Sequence, residues 1–145
     1  MPSERMIAKK EGAVGWMIFN NPERHNAITP DMWQAVPEIL ADFAADAAVR
    51  VVVLAGAGGR SFVSGADISQ FGQTRSTPEQ RAQSDVIRAA GRAAIESFPK
   101  PTIAMIRGYC LGGGLNVALL CDMRVAAEDS KFGVPAAKLG IGYGF

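Results

Sequence analysis

The sequence predicts an α/β fold in which strands and helices alternate along one 145-residue domain. Two observations carry that prediction. "RVVVLAG" (50–56) and "TIAMIRG" (102–108) are nearly unbroken apolar runs, the pattern of strands covered on both faces. Segments with helix-start signals and a 3.6-residue apolar period lie before and between them. No internal repeat or low-complexity tract interrupts the alternation.

Taken in order, "IAKKEGAVGWMIFN" (7–20) reads as a hairpin turning at Glu11-Gly12. A helix should open at "TPDM", with Thr29 as N-cap, Pro30 at the first helical position and Asp31 facing the positive end of the dipole. Its apolar stripe is Met32, Val36, Ile39, Leu40 and Phe43. Pro37 breaks the stripe and predicts a kink or a separate first turn, because proline has no N–H to donate. "TPEQ" (77–80) is a capping box, opening a helix that runs to about Phe98, where "PKP" stops it. "MRVAAE" (123–128) reads as a third buried strand. Between the last two strands a short helix should span roughly Gly113 to Leu120.

Composition narrows the function classes. Fifteen basic residues against fourteen acidic ones give a net charge of +1, with no dense Lys/Arg run. Nucleic acid and anionic membrane are thereby set aside as main partners. The N-terminus has no continuous apolar stretch of the signal-peptide kind, and no segment is long enough to cross a bilayer, so a cytoplasmic protein is expected. Cys110 and Cys121 sit within apolar patterns and read as small buried hydrophobes rather than a disulfide or metal pair.

The strongest local signal is "GYCLGGGLNVALLCD" (108–122), with three consecutive glycines between a strand and a helix. A helix start presents unpaired N–H groups and about half a positive charge. Bare glycines let an electron-rich oxygen reach those donors. The competing explanation is a tight, closely packed turn with no ligand. A P-loop is excluded because Leu115-Asn116, not Lys-Ser/Thr, follows the glycines. A dinucleotide fingerprint at Gly56-Ala57-Gly58 fails as well, since Ser61 stands at the third glycine position and no helix follows.

"NNPERHNAIT" (20–29), "SFVSGADI" (61–68) and the glycine-triplet segment, in this order, resemble the crotonase superfamily, the enoyl-CoA hydratase/isomerase family. The resemblance implies a spiral of ββα units that binds acyl-CoA. By motif it places an oxyanion hole at the backbone N–H groups of Ala66 and Gly113, with Arg24, Ser64, Asp67, Ile68 and Ser69 along the substrate. It implies no permanently bound cofactor and no metal; coenzyme A arrives as part of the substrate. It further implies a homotrimer or dimer of trimers in a full-length form. Family hydratases carry two glutamates at positions held here by Asn116 and Ala136, so ordinary hydration is not expected. Asn does not exchange protons near neutral pH and Ala has nothing to exchange.

Tyr143 in "LGIGYGF" resembles a tyrosine of decarboxylase-like members, weighed against a tyrosine merely packed near a loop. His25 reads as a surface or CoA-flanking residue rather than a catalytic one. Asp67 and Asp122 read as structural. Because "KLGIGYGF" lacks the family's further helices, the chain reads as shortened before its C-terminal part, and apolar surface from Val134 to Phe145 should be uncovered. Two function classes follow: an enzyme working through a thioester enolate with an atypical proton carrier, decarboxylation being its leading variant, or a catalytically silent acyl-CoA-binding or oligomer-partner subunit.

Overall fold

A computed structural model describes residues 3–67, 76–140 and 142. The hairpin is present, but its strands β1 (Met6–Glu11) and β2 (Val14–Phe19) pair through Glu11 and Val14, so the turn is Gly12-Ala13, one residue later than expected. The strand-forming run continues with β3 (Val51–Gly56), β5 (Thr102–Ile106) and β7 (Met123–Ala126), each parallel to its predecessor. They form one five-stranded sheet in the order β1-β2-β3-β5-β7. Three short strands, β4 (Ser61–Val63), β6 (Tyr109–Leu111) and β8 (Lys131–Gly133), form a second, parallel sheet. At three residues each they are too short to show a period in the sequence, and none was predicted.

The two sheets explain the winding. After the β1–β2 hairpin and the helix that follows it, each turn of the chain adds one strand to the large sheet, the next to the small sheet, and then a helix or helical turn. Thus β3 and β4 lead to α2 (Pro78–Glu96), and β5 and β6 lead to α3 (Gly113–Leu120). The last pair, β7 and β8, leads to a 3-10 turn at Pro135–Leu139. This is the ββα spiral expected from the resemblance.

Helix α1 (Pro30–Ala45) is continuous through Pro37, so no separate first turn is split off. Proline removes the bond to the Trp33 carbonyl, yet Met32, Val36, Leu40 and Phe43 are at most 3% exposed and hold the helix to the sheet. Each such side chain contributes about 1.5–3 kcal/mol by leaving water. The freed carbonyl is where α2 crosses: a Cβ on Gly91 would lie 3.0 Å from Trp33 O and 2.6 Å from its ring. Lys100 closes the other end of α1, its Nζ donating to the Phe43 and Asp46 carbonyls at 2.7 Å each. Thr29 is the N-cap residue, but its side chain makes no capping bond. Thr77 does cap α2, accepting from the Gln80 N–H, while Gln80 reaches back to Ser76.

One apolar cluster joins Phe19 and Leu54 of the large sheet, Phe62 and Cys110 of the small one, and Val117 of α3. Burial pushes both thiols up to about 11, which suits cysteines that act as core hydrophobes. Strand β7 corrects another expectation. It lies at the edge of the large sheet and all four of its residues are exposed, with Met123 57% and Val125 55% open to solvent. Val134, where the expected uncovered surface begins, is exposed, as is Phe132 before it, while Ile141, Tyr143 and Phe145 lie outside the described residues.

Asp122 fastens β7 to β5. Its Oδ2 accepts from the Thr102 N–H at 2.8 Å and from the Thr102 hydroxyl at 3.0 Å. Those bonds, the backbone one foremost, hold its carboxyl below the usual range. A carboxyl lowered on folding adds stability above its unfolded pKa, and that contribution disappears as pH falls through the folded value. Melts of the native protein should therefore lose stability below about pH 4 more steeply than melts of Asp122→Asn. Equal acid slopes would show that the Asp122 bonds do not contribute.

Candidate functional site

The triplet has three separate jobs, one for each glycine. Gly112 is the N-cap of α3 at φ 52° and ψ −119°, a backbone shape that side chains with a Cβ avoid. Gly114 packs on β4: a Cβ there would stand 2.0 Å from the Val63 carbonyl oxygen and 2.6 Å from its carbon. Gly113 has room, and faces the loop that leaves β4. A Cβ on Gly113 would lie 3.6 Å from Gly65 Cα and 4.0 Å from Ala66 N. Close packing, one of the two expected explanations, thus accounts for Gly114, while Gly113 has open space towards the Ala66 loop.

The Ala66 loop is held from the far side. Ile28 N–H donates to Gly65 O at 2.8 Å, and Asp67 N–H donates to Ile28 O at 3.1 Å, forming an isolated parallel bridge. That bridge uses the amides on either side and leaves Ala66 N–H out. Among the described residues no acceptor takes the N–H of Ala66 or of Gly113. Two adjacent loops, at the C-terminal ends of β4 and β6, thus present donors that have no acceptor among the described residues, one of them in the first turn of a helix.

The glutamate-equivalent positions approach the same end of the small sheet. Asn116 lies in the first turn of α3, its N–H donating to Gly112 O at 3.2 Å. Gly112 N–H donates to Gly133 O at 2.8 Å, and Ala136 follows three residues later in the 3-10 turn. Neither position carries a carboxylate. Ile68, Ser69 and Tyr143 lie outside the described residues.

The remaining candidates gather on the 20–29 loop. Arg24 is exposed in a 3-10 turn, and its carbonyl accepts from the Ser64 hydroxyl at 3.3 Å. Ser64 N–H donates to the His25 carbonyl at 3.1 Å. His25 is half-buried rather than free on the surface: Nδ1 lies 2.8 Å from Ser61 Oγ, and its ring meets Tyr109 edge-on at 5.7 Å. Sequence reasoning passed over Asn26, whose side chain is fully buried among loop carbonyls. An asparagine in a polar loop gives no periodic signal, so only the fold exposes it. An open cavity of about 450 Å³ lies at the other end of the strands, near Val49, Arg50 and Pro101, and contains none of these residues.

The family model for enoyl-CoA hydratase/isomerase matches residues 9–145. The chain belongs to that family. This enoyl-CoA hydratase/isomerase family member is 37% identical over all 145 residues to a short-chain-enoyl-CoA hydratase of Clostridium acetobutylicum, and 37% identical to a crotonyl-CoA hydratase of Syntrophomonas wolfei. It spans 55% of the length of each. A solved enoyl-CoA hydratase/carnithine racemase from Magnetospirillum magneticum superimposes with a TM-score of 0.92 at 36% identity, over 99% of this chain and 54% of that one. The crotonase-type fold is thereby established along the described residues. Among them no helix is long and apolar enough to cross a membrane.

Proposed function

We propose that this family member binds acyl-CoA thioesters and stabilises a thioester enolate between the N–H groups of Ala66 and Gly113. The observation that carries the proposal is the pair of unpaired amides on adjacent loops. Enolate formation puts negative charge on the thioester oxygen, and preorganised donors stabilise it most when that charge is greatest. Arg24, Ser64 and Asp67 flank the donor loop, with Ile68 and Ser69 continuing it in sequence, as an extended acyl-CoA requires.

A second reading is favoured by the uncharged pair at the glutamate positions. Loss of CO₂ from a malonyl-type thioester needs no protein base. The electrons of the breaking C–C bond pass into the thioester, the carbonyl oxygen takes the charge, and the α-carbon is then protonated. Tyr143 is the candidate donor for that proton. A silent acyl-CoA-binding subunit would show binding without either reaction.

Calorimetry with an acyl-CoA analogue whose sulfur is replaced by CH₂, leaving the carbonyl intact, tests the binding step. Binding tighter than about 1 mM is expected, and Gly113→Ala should weaken it, because the new methyl lies beside the Ala66 donor. A folded protein that ignores the analogue at millimolar concentration would remove the basis for the proposal.

A further inference from the structure

We propose that Asn26 is the positioning residue for the Ala66 donor, an inference that rests on the oxyanion reading above. Asn26 has no exposed surface, and its backbone sits at φ 55°, a left-handed conformation that asparagine tolerates better than most residues. Its carboxamide is fully engaged. Oδ1 accepts from the Asn21 N–H at 2.9 Å, while Nδ2 donates to Ala57 O at 2.9 Å and to Ser61 O at 2.8 Å.

One side chain therefore ties together the start of its own loop, the loop after β3 and the first residue of β4. The fit leaves no slack: a Cβ on Gly56 would lie 2.7 Å from Asn26 Nδ2 and 2.2 Å from Ser61 O. Two residues after Asn26, Ile28 exchanges hydrogen bonds with Gly65 and Asp67 on either side of Ala66. Five residues after Ser61 stands Ala66 itself. Asn26 thus fixes both strands of the bridge that aims the Ala66 N–H, without reaching the substrate.

Asn26→Gly keeps the left-handed backbone unstrained and removes the three side-chain bonds. Asn26→Asp keeps the shape and sets an oxygen against two carbonyls. Native-state hydrogen exchange should show the Ile28 and Asp67 amides opening about tenfold faster or more in either variant, with β1–β2 amides unchanged. A second readout is the stretch of a ¹³C-labelled carbonyl in the bound analogue, which two donors should lower. Asn26→Gly should still bind the analogue but lose most of that lowering, an effect that loss of stability alone would not give. Unchanged exchange, a fully retained lowering, or loss of protection throughout the molecule in both variants would each overturn the proposal. If the native protein binds the analogue without lowering the stretch, the oxyanion reading fails. The exchange arm then still decides whether Asn26 sets the bridge.

Discussion

Crotonyl-CoA should be hydrated on the order of 10⁴-fold more slowly by this protein than by a relative with both glutamates, since each acid–base group contributes about 10²–10⁴. Water must be deprotonated as it attacks, and the α-carbon must receive a proton. In the proposed reaction the Ala66 and Gly113 N–H groups would stabilise charge but move no proton. Asn116 and Ala136 stand where the resemblance places the two carboxylates, and both lie at the donor end of the small sheet. Asn116→Glu combined with Ala136→Glu should raise the rate, while either change alone should do little, because such groups act as a unit. Stopped-flow absorbance of the enoyl thioester measures it. Turnover at ordinary enzymatic rates by the native protein would show that another group carries the proton. Release of CO₂ from a malonyl thioester, measured in the same preparation, separates the decarboxylase reading from the silent one.

Gly114→Ala should destabilise the fold by about 3 kcal/mol or more, at the upper end of overpacking effects. The new methyl would meet the Val63 carbonyl at 2.0 Å, and that carbonyl belongs to β4, a fully buried strand paired with β6. A backbone obstacle cannot swing away as a side-chain tip can. That is a large share of the roughly 5–15 kcal/mol that holds a domain folded. Gly113→Ala, one residue earlier, meets only ordinary contacts at 3.6 Å or more and should cost less than about 1 kcal/mol, since alanine also favours the helix. Urea denaturation of the pair measures the difference. Equal stabilities would mean that α3 does not press on β4 as described.

The parts of this molecule legible in the sequence are those with a period or a motif. The Val51–Gly56 and Thr102–Ile106 runs, the Met32–Phe43 stripe and the Thr77 cap all lie where their residues placed them. Pro37 splits off no separate turn, because packing that local propensity ignores holds α1 together. Strand β7 misled because an apolar pattern does not say whether anything covers it. The small sheet was invisible, being three strands of three residues paired across long separations. For the candidate site, the resemblance named Ala66 and Gly113, which the fold places on adjacent loops. The bridge through Ile28 and the clamp at Asn26 required the 20–29 loop to be seen against β4.

We propose that Ala66 and Gly113 together receive a thioester oxygen. Amide proton shifts read it directly. On titration with the CH₂-for-sulfur analogue, the Ala66 and Gly113 amide protons should both move downfield, as donors do when they acquire a charged or polarised acceptor. Coenzyme A alone, which has no acyl carbonyl, should leave them in place. An analogue bound at saturation with both resonances unmoved would show that these two amides do not receive the carbonyl oxygen.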